Sequence, residues 1–378
     1  MKHVLLIENR PDFGQGGVET YNRHLYKILA DYFENIQIDR AALLPCENTF
    51  NNEKLASYYH VFKQNANYRK KDGNFNFVKI SFLFCFFRHL IYKLNKQNNY
   101  DLIIDSTITT FKKFRNKSFY FWIQHNTPAY YSMQHIKNKC IRKLFISCER
   151  IFGLQNNLIY DQNLILFDQY NYQEVKQLRN TSFNANIIPL SNYIPNDFND
   201  ALTKSIKTKQ RILYFGRIDN EQKNIDLLIQ LNNQLNLIDF YGKGNQNLIQ
   251  KLGSSYKGFL DNDADLTELF TKYKFMIVMS NYEGFPFSLT QSLCYGLPII
   301  VRGTFASAKF LTNNNKNGFL LPPNESADEY AQAIKKIYSI NDEDYLKLSL
   351  NSYQFAKEHL SNEQFTQNWL KIFHQFLD

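Results

Sequence analysis

The 378 residues are 44% hydrophobic and 16% aromatic, enough apolar material for two domains with separate cores. The net charge of +9 draws the chain toward something anionic (phosphate, nucleic acid or an anionic membrane face) without choosing among them. No run of about 18 uncharged apolar residues occurs, which argues against a spanning helix.

The opening Met1-Lys2-His3 leads into a short strand-like run, Val4 to Ile7. It is too short for a secretory leader and has no cleavage pattern behind it, so the expected location is the cytoplasm. The cysteines, Cys46, Cys85, Cys140, Cys148 and Cys294, make neither a CxxC pair nor zinc-ligand spacing, and read as reduced, buried thiols. The Asn-rich bias, including Asn313-Asn314-Asn315, reads as composition without function.

In chain order, a strand over 4–8 is followed by a Gly-bearing loop and a helix over 18–33. A second strand covers 36–44. The stretch 45–74 is polar and irregular, and helical apolar spacing returns over 77–94. Strands follow over 101–105 and 119–124, with short apolar runs at 158–160, 164–167 and 187–189. After a polar stretch at 196–210 a second series begins, with strands over 212–215, 237–241, 275–279, 298–301 and 318–321 and helices between them. A helix over 362–377 ends the chain. Strand–helix alternation implies parallel sheets with crossover helices, and two such series imply two doubly wound domains. The expected organisation is an N-terminal domain over 1–195, a C-terminal domain over 196–358 and a last helix, 359–378, packing back on the first domain. Ligands of such sheets bind beyond the carboxyl ends of the strands, here in a cleft between two facing domains.

Four strand-to-helix loops are candidates for chemistry. The first contains Gly14, Gly16, Gly17 and Glu19; its glycines allow close backbone approach and the following helix offers N–H groups to an anion. An ordinary turn explains it equally. It is not GxGxxG and has no acidic ribose ligand at the expected distance, so a nicotinamide site is not expected. The second runs from Gly216-Arg217 to Lys223; a guanidinium fork and an ammonium near a helix N-terminus suit a diphosphate. The third, Gly242-Lys243-Gly244, fits either a tight turn or a closely approached phosphate. The fourth and most specific is Glu283-Gly284-Phe285-Pro286 leading into a helix that carries Gln291, where a carboxylate can hold sugar hydroxyls beside helix amides.

Taken together in this order, these residues resemble the large retaining glycosyltransferase family numbered four, of GT-B fold. The resemblance covers nearly the whole chain and is clearest over 211–322. Gly16-Gly17-Val18-Glu19 is similar to that family's GGxE loop, Gly216-Arg217 and Lys223 to its phosphate-binding pair, and Glu283 to Pro286 to the start of its Glu-x7-Glu signature. Tyr295-Gly296-Leu297-Pro298 and Asn317-Gly318-Phe319-Leu320 continue the pattern. The resemblance implies a GT-B enzyme that transfers a hexose-type sugar from a nucleotide-sugar donor, UDP-linked, to a saccharide or lipid-linked acceptor in cell-surface polysaccharide or glycolipid synthesis. It implies retained anomeric configuration and no required metal or other cofactor. Glu283 and His125, the latter at the end of a strand in the first half, would be catalytic. Gly16, Gly17, Gly216, Arg217, Lys223, Gly242, Glu283, Gly284, Phe285, Pro286 and Gln291 would bind the donor. Two departures stand out: Gln291 occupies the place of the second signature glutamate, and the acid that precedes the Asn-Gly stretch in the family is replaced around Ala308-Lys309. Gln keeps an acceptor oxygen but loses the charge-assisted part of a bond to ribose.

The acidic run 261–265 contains a DxD pattern, which reads as helix capping rather than a metal site. Basic clusters over 112–117 and 137–143, with the Phe-rich 77–94, suggest peripheral contact with an anionic membrane face. Two rivals remain: a non-catalytic partner subunit of the same fold, kept open by Gln291, and a nucleotide-sugar epimerase of the same fold. No nucleic-acid motif accompanies the positive charge.

Overall fold

The computed structural model describes residues 1–8, 17–42, 55–60, 89–107, 119–123, 125, 163–178, 183–195, 210–260 and 263–378. The described residues form two compact units. One comprises Met1–Leu166, Val175–Ile188 and Thr366–Asp378, and the other Phe167–Glu174 and Pro189–Phe365.

The first unit is built on a sheet of seven strands: β1 (Lys2–Glu8), β2 (Ile36–Ala42), β3 (Leu55–His60), β4 (Leu102–Asp105), β5 (Tyr120–Ile123), β6 (Asn163–Leu166) and β7 (Asn184–Ile187). Their order is β3-β2-β1-β4-β5-β6-β7, with every pairing parallel. β3 lies within the stretch 45–74 expected to be irregular. Its sequence, LASYYH, lacks the continuous aliphatic run that marks a buried parallel strand. The central strands have that run: Val4 to Ile7 and Leu102 to Ile104 are buried. Helix α1 (Gly17–Tyr32) begins one residue earlier than its apolar spacing suggested and buries Tyr21, Leu25, Ile28 and Leu29. The segment 89–98 is helical; the rest of the Phe-rich stretch and both basic clusters lie outside the described residues.

The last helix, numbered below, ends in this unit. There Trp369 stacks on Phe373 at 5.2 Å, Phe373 meets Phe33 edge-on at 5.9 Å, and Phe376 meets Phe121 at 5.6 Å. Trp369 Nε1 donates to Tyr21 Oη (3.2 Å), and Lys2 Nζ to the Phe376 carbonyl (2.9 Å).

The second unit has six strands: β8 (Ile212–Phe215), β9 (Ile238–Tyr241), β10 (Tyr256–Gly258), β11 (Phe275–Val278), β12 (Ile299–Arg302) and β13 (Gly318–Leu321). The order is β10-β9-β8-β11-β12-β13, again wholly parallel. The short β10 was not expected from sequence; three residues, YKG, carry no periodicity. After α2 (Gln169–Leu178) come α3 (Ile225–Leu235), α4 (Gln246–Leu252), α5 (Asp263–Lys272), α6 (Phe287–Cys294), α7 (Ser307–Thr312), α8 (Ala327–Tyr338), α9 (Asp342–His359) and α10 (Asn362–Leu377).

Local chemistry explains several boundaries. Asn245 caps α4 by accepting from the N–H groups of Asn247 and Leu248. Ser326 and Glu329 close a reciprocal capping box on α8, whose first turn is acidic and last turn basic, in keeping with the helix dipole. Ile212, Tyr214, Phe240, Phe275, Ile277 and Ile300 form the sheet's part of one buried core, completed by Leu228, Leu231, Tyr330, Ile334 and Tyr345 from the helices. The run Asn313-Asn314-Asn315 has a structural role after all. All three sit at positive φ (45°, 54° and 65°), a left-handed turn that ends α7, and Asn315 Oδ1 accepts from Leu320 N–H (2.9 Å). Asn tolerates this region better than other side chains that carry a Cβ.

Candidate active site

In each sheet the strand order reverses at one place, between β1 and β4 and between β8 and β11. Loops leaving the carboxyl ends of such neighbours diverge and open a crevice, the usual ligand position in open α/β sheets.

In the second unit the two loops bring together residues about 60 positions apart. Glu283, after β11, is 5% exposed. Its Oε1 accepts from Lys223 Nζ (2.5 Å) and Ser280 Oγ (2.7 Å), and its Oε2 from Gln222 Nε2 (2.9 Å). Gln222 Oε1 in turn accepts from Arg217 Nη2 (2.5 Å), and Arg217 Nε donates to Asp219 Oδ2 (2.5 Å). Asp219 Oδ1 receives the backbone N–H groups of Gln222 (2.9 Å) and Lys223 (3.3 Å), which folds the loop ahead of α3. The two loops are also joined by backbone, Asn281 N–H donating to the Gln222 carbonyl (2.7 Å). The Arg217 side chain is 60% exposed and that of Lys223 16%, so the cations form the outer edge of a cluster whose carboxylate lies inside. Tyr214 supports the loop from below, its hydroxyl donating to the Arg217 carbonyl (2.6 Å). Burial, and then the carboxylates of Glu283 and Asp219, push that phenol's pKa well above its ordinary value.

The remaining residues of the fourth loop are placed by packing. Gly284 is buried, and its carbonyl accepts from Ser307 Oγ (2.8 Å). Phe285 is buried against Phe310 and Phe167. Pro286 stands at the N-cap of α6, where no side chain caps the helix. Gln291 lies half-buried in the middle of that short helix.

The glycines of the second and third loops meet one another. Gly216 N–H donates to the Tyr241 carbonyl (3.0 Å) and Ile218 N–H to the Lys243 carbonyl (2.9 Å). A Cβ on Gly242 would fall 1.8 Å from the Gly216 oxygen, and the Gly242 N–H is engaged by the Gly258 carbonyl (2.9 Å). This accounts for Gly242 by loop–loop contact, without a phosphate.

In the first unit, Gly16 lies outside the described residues and Gly17 opens α1. His125 follows β5, its ring edge-to-face with Tyr21 at 5.3 Å. Desolvation lowers its pKa to about 3, so the imidazole is neutral at physiological pH and suited to hydrogen bonding rather than to carrying charge. At the carboxyl end of β1, Glu8 binds Arg40 through two contacts (2.6 and 2.9 Å), with both side chains at most 2% exposed. Asn22 donates to Glu8 (3.4 Å) and accepts from Ser106 Oγ (2.6 Å). Asp105, at the end of β4, accepts from Thr107 Oγ1 (2.7 Å) and the Tyr120 hydroxyl (2.6 Å).

Of the acidic run, Asp263 to Asp265 fall in the first turn of α5. Among the described residues, no three His, Cys, Asp or Glu side chains are grouped as metal ligands. Sequence reading singled out Arg217, Lys223 and Glu283 but passed over Asp219, Gln222 and Ser280. Asp219 was accessible as an acid ahead of a helix in the same loop, whereas nothing local marks Gln222 or Ser280.

Residues 196–355 match the sequence model of the family described as Glycosyl transferases group 1. Over 156 residues the chain is 28% identical to the UDP-N-acetylglucosamine–peptide N-acetylglucosaminyltransferase GtfA subunit of Streptococcus gordonii, covering 37% of this chain and 31% of that protein. Over 191 residues it is 26% identical to a GalNAc-alpha-(1->4)-GalNAc-alpha-(1->3)-diNAcBac-PP-undecaprenol alpha-1,4-N-acetyl-D-galactosaminyltransferase of Campylobacter jejuni, covering 47% of this chain and 52% of that one. The match thus spans about a third of the first relative and half of the second. The whole fold is similar to sucrose-phosphate synthase of Thermosynechococcus elongatus, with a TM-score of 0.76 at 15% identity over 99% of both chains. The two Rossmann-like units therefore have the fold of GT-B glycosyltransferase structures, and the second unit holds the segment, residues 196–355, that is similar to the glycosyl transferases group 1 family.

Proposed function

We propose that this protein is a retaining glycosyltransferase of family four that moves a hexose-type sugar from a UDP-linked donor to a saccharide or lipid-linked acceptor of the cell surface. The observation that carries the reading is the cluster at the β8/β11 switch point. There a buried carboxylate, Glu283, is held by Lys223 while Arg217 stands exposed beside it, inside the domain that matches the family. Arg217 and Lys223 receive the donor's diphosphate and stabilise the charge that grows on it as the sugar leaves. Glu283 accepts from sugar hydroxyls, and the start of α6 adds backbone amides. Two cations supply positive charge at the leaving group, so transfer proceeds without divalent metal. The names of the relatives support the donor and acceptor classes, one naming UDP-N-acetylglucosamine and the other a PP-undecaprenol saccharide. His125, in the first unit, acts as a neutral hydrogen-bonding group.

The acceptor class and the net charge of +9 support work at the cytoplasmic face of a membrane, with peripheral attachment. No helix among the described residues is long and apolar enough to cross one.

Thermal unfolding against a panel of nucleoside diphosphates and nucleotide sugars tests the reading. UDP or a UDP-sugar is expected to raise the midpoint most, because a ligand of the native state alone adds to stability. Absence of stabilisation by any nucleotide would sink it. A chelator is expected to leave transfer unchanged. Gln291 favours one second reading, a non-catalytic partner subunit. UDP binding with no turnover on any acceptor, restored by Gln291→Glu or by a second protein, is its signature.

A further inference from the structure

Gln222 makes two side-chain contacts at once, one as acceptor and one as donor, which a carboxamide can do and an ionised carboxylate cannot. Its Oε1 accepts from Arg217 Nη2 at 2.5 Å, and its Nε2 donates to Glu283 Oε2 at 2.9 Å. A guanidinium needs an acceptor and a carboxylate needs a donor, so the pair of partners fixes which end of the amide is which. The backbone of Gln222 is anchored from both loops, its N–H on Asp219 Oδ1 and its carbonyl on the Asn281 N–H. The amide therefore stands at a set point between two groups that belong to different loops and, in the proposed donor site, to different parts of the ligand.

We propose that Gln222 is a positioning residue that holds Arg217, the diphosphate cation, and Glu283, the sugar-binding carboxylate, in one fixed spacing. The inference rests on the donor-site reading given above. It explains why the exposed guanidinium is ordered from two sides, by Asp219 and by Gln222. It also explains why Glu283 keeps a donor on each oxygen, Lys223 and Ser280 on one and Gln222 on the other. Without the amide, Arg217 keeps Asp219 and Glu283 keeps Lys223, but nothing transmits the position of one to the other through this path.

The discriminating substitution is Gln222→Glu, which preserves size. It retains an acceptor for Arg217 but turns the second atom, 2.9 Å from Glu283 Oε2, into another carboxylate oxygen. Two carboxylates at that distance share a proton, and one of them titrates well above the usual range. Below that pKa the shared proton replaces the amide N–H and the cluster carries its original charge. Above it the cluster carries one extra negative charge in front of an anionic ligand.

UDP is the probe, and its affinity is measured by calorimetry from pH 5 to pH 8.5 for the wild type, Gln222→Glu, Gln222→Leu, and the pair Arg217→Ala and Lys223→Ala. The ratio of Gln222→Glu to wild-type affinity cancels the nucleotide's own titration. That ratio is expected near one at pH 5 and to fall about tenfold or more by pH 8.5. Gln222→Leu is expected to weaken UDP by a similar factor with no pH dependence relative to wild type, and with an unfolding midpoint close to wild type. A flat ratio near one for Gln222→Glu, with UDP bound normally by Gln222→Leu, overturns the inference. If Arg217→Ala and Lys223→Ala still lose affinity in that case, the donor site stands and only the role of Gln222 fails. If those two variants also bind UDP like the wild type, or the wild type does not bind UDP, the donor-site reading fails with it.

Discussion

Both sheets place an ion pair at the carboxyl ends of neighbouring central strands, and the two pairs differ in how they meet solvent. In the first unit Glu8 and Arg40 are sealed, 2% and 0% exposed, with Asn22 completing the carboxylate. In the second the carboxylate of Glu283 is as deeply set, at 6%, but Lys223 is 16% exposed and Arg217, one amide away, 60%. A sealed pair holds a fold together, because removing one partner strands the other charge in a poorly solvating interior. A pair open on its cationic side can exchange one carboxylate for another anion, and a diphosphate is such an anion. The difference lies in which end of the pair faces outward, not in the residue types.

Substitutions at Arg40, Gly242, Lys223, Arg217 and Asn314 sharpen or break that contrast, in decreasing order of expected effect. Arg40→Met, which leaves Glu8 without its guanidinium, is expected to lower stability by about 3–5 kcal/mol in denaturant unfolding. The double change Glu8→Leu with Arg40→Met is expected to recover most of it. A loss under about 1 kcal/mol for the single change would mean the pair is not sealed. In the second unit Gly242→Ala places a Cβ against the Gly216 carbonyl oxygen, at a cost of about 3 kcal/mol by the usual scale of overpacking. Nucleotide affinity in that variant should fall only as far as the fold is perturbed, since Gly242 is placed by loop contact. Lys223→Ala and Arg217→Ala are each expected to weaken UDP about tenfold or more, the scale of one lost charge-assisted contact. Arg217→Ala should do so with almost no change in unfolding midpoint. Equal affinity in both would remove the functional half of the contrast. The smallest effect is expected at the Asn turn: Asn314→Ala, at φ 54°, should cost about 1 kcal/mol and Asn314→Gly less, read from the unfolding midpoint.

His125 gives a check through pH. Its pKa in the folded chain is lowered from 6.5 to about 3, so between those values the unfolded chain binds the extra proton. Its contribution to stability is complete above about pH 6.5 and declines as pH falls toward 3. His125→Asn is expected to flatten the pH dependence of unfolding in that window. An unchanged slope, or an imidazole seen by NMR to titrate near 6.5 in the folded protein, would show that the ring is solvated.

The parallel sheets were legible because their central strands are buried on both faces and so read as continuous aliphatic runs, as in Val4 to Ile7, Phe275 to Val278 and Ile299 to Val301. The helices were legible from apolar spacing, as in α1 and α10. The strand β3, without such a run, was not, nor was the three-residue β10. The candidate site residues Arg217, Lys223 and Glu283 were legible by type and by their place in strand-to-helix loops. What sequence alone determined is therefore what depends on near neighbours in the chain: the elements, their alternation, and which loops carry charge.

Tertiary structure decided the pairings. Arg40 meets Glu8 and Gln222 meets Glu283 across 32 and 61 residues, because strand order, not strand sequence, sets which loops become neighbours. It also separated two kinds of glycine and asparagine that look alike in the sequence. Gly242 is demanded by a carbonyl from another loop, and Asn313 to Asn315 by a left-handed turn. These requirements come from backbone geometry and from groups distant in the chain, which no local pattern of residues records.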